Sequence, residues 1–175
     1  VAIIASDIVK RYSVSAAAGD TTVGTAAGSL GDQVSTTAIA DDTLGNVFDD
    51  VLGPEAAAGS VTYRCIFILN NHATLTLQGT TVSISSQAAG GGTVAIALDN
   101  IAASAKGSGS AQAAAIGSET STPSGIGAFG TGPLSVGDLA PGQVRAIWVR
   151  LTVPAGATAV NPDTFVLDIT GNTLP

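Results

Sequence analysis

The sequence predicts an all-β protein, an antiparallel β-sandwich of Ig-like or jelly-roll-like type with an extended N-terminal arm. Three observations carry this reading. Apolar residues alternate with period two in several short runs, clusters of Gly, Pro and Asn separate those runs, and no stretch sustains a helical period. No repeat of fixed period is visible either.

Residues 1–45 are rich in Ala, Gly, Ser, Thr and Asp, and the Thr, Val and Ile among them favour extended backbone over helix. They read as an extended arm or edge segment, with turns at 16–20 and 26–29. Residues 46–175 read as the sandwich domain. Within 41–50, Asp41-Asp-Thr-Leu-Gly-Asn-Val-Phe-Asp-Asp50 is the best candidate for a short helical turn or an ordered acidic loop, and Gly53-Pro54 reads as a break.

The clearest strand begins at Tyr63. Tyr63, Cys65, Phe67 and Leu69 share one face, while Ile66 and Ile68 lie on the other, so both faces are expected to be covered. Asn70-Asn71-His72 supplies a turn. Leu75 and Leu77 then have one parity and Val82 and Ile84 the other, with Gly79 between them, the pattern a β-bulge or tight bend produces. Val94, Ile96 and Leu98 alternate in a further strand over 93–98. Residues 104–133 are dominated by Ser, Gly, Ala, Thr and Pro and read as a long loop, with room for a short strand near 112–116; such a loop belongs at an edge or an interface. After the turn at Pro141-Gly142, Ile147, Val149, Leu151 and Val153 form one face and Trp148, Arg150 and Thr152 the other. Phe165, Leu167 and Ile169 mark the last strand.

The 175 residues suit one compact domain or one domain with ordered extensions, the latter as the arm reading requires. Hydrophobic residues make up 45% but aromatics only 4%, so the core has many small side chains and leans on sheet pairing and neighbouring subunits. The formal net charge is −7 with six Lys plus Arg, and Lys10-Arg11 is the only adjacent basic pair. Nucleic-acid binding needs clustered cations, so it is not expected here. A membrane role is not expected either. The apolar run at 1–5 ends at Asp7 and Lys10, far short of the roughly 18 residues that span a bilayer, and there is no basic amphipathic helix. A single cysteine, Cys65, rules out an internal disulfide.

Catalytic chemistry finds little support. His72 is the only imidazole available as a general base, and it follows two Asn in a turn with no nucleophile elbow beside it, so it reads as a turn or packing histidine. Cys65 lies in an apolar strand and reads as a small buried hydrophobe. The carboxylates Asp41, Asp42, Asp49, Asp50 and Glu55 do not have calcium-loop spacing, and no aromatic platform for sugar adjoins them; they read as a solvated or intersubunit acidic surface. Gly90-Gly91-Gly92 lacks the ending of a phosphate loop. No catalytic, cofactor or metal residue is assigned.

Phe48-Asp-Asp-Val51, Glu55-Ala56, Tyr63-Arg-Cys-Ile-Phe67 and Asn71-His-Ala-Thr-Leu-Thr-Leu77, followed by Leu139-Ala-Pro-Gly142, Ala146-Ile-Trp-Val-Arg150 and Val153-Pro-Ala-Gly-Ala157, resemble in order a family of virion structural proteins of tailed phages and prophages. The likeness spans roughly residues 44–170. It implies a non-enzymatic particle component without cofactors. The size, and the lack of the long helix of a major capsid protein, favour a capsid decoration or cement protein on the virion surface. The expected partners are the major capsid protein and sister subunits in a homotrimer, and a minor tail or fibre component with a receptor- or glycan-binding sandwich is the alternative.

Overall fold

The structure, a computed structural model, describes residues 2–15, 20–89 and 91–173. It is an antiparallel β-sandwich, as the alternation predicts. Strands β1 (Ile8–Val14), β2 (Gln33–Ala38), β3 (Ser60–Asn70), β5 (Thr93–Leu98), β6 (Ser104–Ala105) and β8 (Gln143–Val153) form a six-stranded sheet. Its order is β2-β1-β3-β8-β5, with β6 also paired to β8. Strands β4 (Leu77–Gln87), β7 (Leu134–Leu139) and β9 (Phe165–Asn172) form the smaller sheet, in the order β7-β4-β9.

The central pair is β3 with β8, in register from Ser60 opposite Val153 to Leu69 opposite Val144. Alternation along these strands sorts the side chains into two cores. Ile66, Ile68, Ile147 and Val149 face the smaller sheet and meet Leu77, Val82, Val136 and Leu139. Tyr63, Cys65, Phe67, Leu69 and Trp148 face the other way and pack with Val34, Ala97, Ala113 and Val144. Strands covered on both sides favour apolar residues at nearly every position, and β3 is buried without interruption from Tyr63 to Asn70, with Arg64 and Asn70 as its polar members.

Among the described residues no second sheet covers the outer face. Segment 99–130 packs on it through Ala113, Ala114, Ile116, Ile126 and Phe129, and segment 26–32 borders it where the Cys65 amide donates to the Ser29 carbonyl (2.8 Å); buried side chains hold them where a sheet would use its own ladder. Asp99 is fully buried; its Oδ2 accepts from Trp148 Nε1 (3.0 Å) and the Ala114 amide (2.8 Å), and its Oδ1 from the Ile101 amide (2.8 Å). Gln112 accepts from the Val34 amide (3.0 Å) and donates to Ser104 Oγ and the Ala105 carbonyl (both 2.9 Å). The two segments also bond to each other, from the Gln112 amide to the Asp32 carbonyl (2.7 Å) and from the Ile116 amide to the Leu30 carbonyl (2.9 Å). Gly31, at φ +98, makes this possible: a Cβ there would sit 1.8 Å from the Ala114 carbonyl oxygen.

The structure alters several expectations. Residues 8–14 and 33–38, read within an extended arm or edge segment, are β1 and β2 at one side of the protein's own sheet: β1 pairs with both β2 and β3. Their Ser, Thr and charged residues hide the pattern because polar loops cover them. The long 104–133 segment serves the chain's own outer core, and within 112–116 there is only an isolated bridge from Ala115 to Gly31. Residues 41–50 form a loop of turns, in keeping with the acidic-loop reading, while a helix, α1 (Gly53–Ala58), starts at the Gly-Pro read as a break. Proline suits a first helical turn, whose amide has no intrahelical partner. Gly79, at φ +54, does mark a bulge: the β4 register shifts between Leu77 and Thr80, and Leu77, Val82 and Ile84 all end up facing the inner core. Turns expected within 16–20 and at 90–92 fall partly outside the described residues.

Candidate functional site

The acidic residues noted in the sequence separate in space. Asp41 pairs with Lys10, and Asp42 occupies a turn at φ 55. Asp49, Asp50 and Glu55 remain together and line a groove of about 350 Å³ at one end of the sandwich, between the 48–55 segment and the starts of β3 and the end of β8.

Arg64 organises this groove. Its position on β3 has inner-face parity, which places a guanidinium where Ile66 and Ile68 continue as apolar core. Its side chain is only 1% exposed, so its charge requires partners. They are Asp49, at 3.2 Å, and Glu119, which also lines the groove. The Phe48 ring lies 6.0 Å from the guanidinium carbon, and Nη1 donates to the Tyr63 carbonyl (3.3 Å). Glu119 is itself fixed in place. Its carbonyl accepts from the Tyr63 amide (2.7 Å) past the end of β1, and Thr122 Oγ1 meets the Tyr63 hydroxyl at 3.2 Å.

Glu55 Oε2 accepts from the Leu52 amide (2.8 Å), closing the first turn of α1. That leaves Asp50, which does not pair with a cation among the described residues, beside exposed Val51 (39%) and Leu52 (62%). One guanidinium set against four carboxylates leaves the groove negative. Its chemistry suits a basic, partly apolar protein segment.

The other candidates have local roles. His72 Nδ1 accepts from the amides of Thr74 (3.1 Å) and Leu75 (3.0 Å), so it shapes the turn into β4. Cys65 is fully buried in the outer core; burial pushes its thiol well above the usual range, the Asp99 charge adds to this, and a hydrogen bond with Ser13 opposes it. Among the described residues no group of three or more His, Cys, Asp or Glu is placed to hold a metal ion, and no helix is long and apolar enough to cross a membrane.

Sequence reading missed Arg64 and Glu119 as a pair. The signal available was a charged residue inside an otherwise apolar strand, which demands a carboxylate from elsewhere. No family model, curated protein or solved structure matches this chain.

Proposed function

We propose that this chain is a non-enzymatic structural protein of a phage particle, a decoration or cement protein that docks on the assembled capsid and stabilises it. The observation that carries the reading is spatial. Phe48-Asp-Asp-Val51 and Glu55, which carry part of the resemblance to virion proteins, line one acidic groove with apolar residues at its lip, and Arg64, from the same set, pairs with two of its acids, Asp49 and Glu119. The groove faces the partner, and the pinned loops behind it supply a rigid body that loses little freedom on docking. Binding only the assembled shell then stabilises that shell by mass action.

Deleting the gene from the phage or prophage that carries it tests the proposal. Particles without the protein should release DNA at lower temperature and milder osmotic shock, and purified protein should restore their resistance. Carrying Asp50→Lys with Leu52→Asp should weaken binding to heads by about tenfold or more, a loss of roughly 1.4 kcal/mol. Unchanged particle resistance after deletion would sink the cement reading, and a low copy number confined to isolated tails would favour a tail component.

A further inference from the structure

Sheet edges invite pairing with other chains, and proteins normally obstruct them. Three edges here are obstructed. Along β2, the Thr36 amide bonds to the Thr22 carbonyl (2.9 Å) and the Val34 amide to Gln112 Oε1 (3.0 Å). Along β5, Ile96 exchanges both main-chain bonds with Gly130 (2.7 and 3.0 Å), and the Gly127 amide reaches the Leu98 carbonyl (2.8 Å). The β7 edge is irregular, with a register shift between its pairings at Gly137 and Ser135 and Gly137 at φ +87.

The fourth edge, β9, differs. It is eight residues long with neither Pro nor Lys, and the extra residues at both of its register shifts with β4 belong to β4. Among the described residues no main-chain bond reaches its far side. Its inward side chains tell the same story. Val82 and Leu139, on the neighbouring strands, are fully buried, but Phe165, Leu167 and Ile169 are only half-buried because no strand among the described residues lies beyond them. Val166, on the outer face, is 47% exposed.

We propose that β9 pairs antiparallel with β9 of a second copy, joining the two small sheets into one. The strand is self-complementary in one register. With Leu167 opposite itself across the two-fold axis, Phe165 faces the partner's Ile169 and all the inward neighbours are apolar, while Val166 faces the partner's Asp168. Centring the pair on Asp168 would oppose two carboxylates, which disfavours that register. The added strand also covers the half-exposed inner residues. This contact gives a two-fold pair, and it does not depend on the capsid reading.

Sedimentation of the full chain tests it. A reversible monomer–dimer equilibrium is expected at concentrations up to roughly 100 μM, where small edge contacts are populated, and salt should strengthen it by screening the net charge. Val166→Asp places like charges opposite each other twice and should weaken pairing by about tenfold or more. Val166→Lys instead faces Asp168 and should pair at least as tightly as the parent. In the double variant Val166→Cys with Asp168→Cys, oxidation should trap a covalent dimer, with circular dichroism confirming that the fold is intact. A parent chain that stays monomeric throughout, Asp and Lys variants that behave alike, or a folded double variant that does not cross-link would each overturn the proposal.

Discussion

The two faces of the large sheet solve the same burial problem in different ways. The inner face meets a second sheet, whose backbone groups are satisfied by their own ladders, so aliphatic side chains do most of the work there. The outer face meets irregular chain, whose amides and carbonyls need partners once water is removed. Asp99, Gln112 and Ser13 provide them from within the core, Ser13 by accepting from the Gly31 amide at 2.9 Å. Irregular cover therefore concentrates stability in a few polar side chains, whereas sheet cover spreads it over many small apolar contacts.

Substitutions on the two faces should differ accordingly. The largest loss is expected for Asp99→Ala, which strips the acceptor from the buried Trp148 indole and from the partly buried Ala114 and Ile101 amides and should cost about 3–4 kcal/mol, a large part of a domain's stability. Chemical denaturation measures it, and a loss under about 1 kcal/mol would mean that the outer layer is not held in this way. Gln112→Ala should cost about 2–3 kcal/mol, and hydrogen exchange should speed up in 30–36 and 104–116 before the inner core is affected. On the inner face, Ile147→Val removes one methylene from aliphatic packing and should cost only about 1 kcal/mol with no regional effect on exchange.

The smallest effect is in pH. The unfolded chain gives up the Cys65 proton above about pH 8.5 while the folded chain keeps it, so stability falls as pH rises beyond that value. The slope is at most about 1.4 kcal/mol per pH unit, and Cys65→Ala should remove it in parallel unfolding measurements. The native thiol should also resist alkylation until the chain unfolds. Rapid labelling of folded protein would show that the outer layer opens readily.

What the sequence made legible follows the same divide. Strands β3, β5, β8 and β9 announce themselves because their alternating side chains face a core on at least one side. β1 and β2 do not: Lys10 and Arg11 pair with Asp41 and Asp20, and Gln-Val-Ser-Thr-Thr-Ala offers no apolar period where loops supply the cover. β7 is bulged and contains Gly137, which breaks its period. At the candidate groove, Asp49, Asp50 and Glu55 were visible as an acidic cluster. Glu119 was not, because it reaches Arg64 across a long stretch of sequence from a loop whose composition carries no pattern.

The central ladder also dictates an order of events during synthesis. β3 and β8 lie roughly 80 residues apart along the chain, so at ordinary translation rates about 5–15 s separate the emergence of one from the other. Through that interval Cys65-Ile-Phe-Ile-Leu69 can pair with β1 along one edge only, leaving the other edge and both apolar faces without their final neighbours. Newly made chains should therefore be most prone to aggregate before residue 143 is made, and a truncation that stops short of β8 should require a holding chaperone to stay in solution.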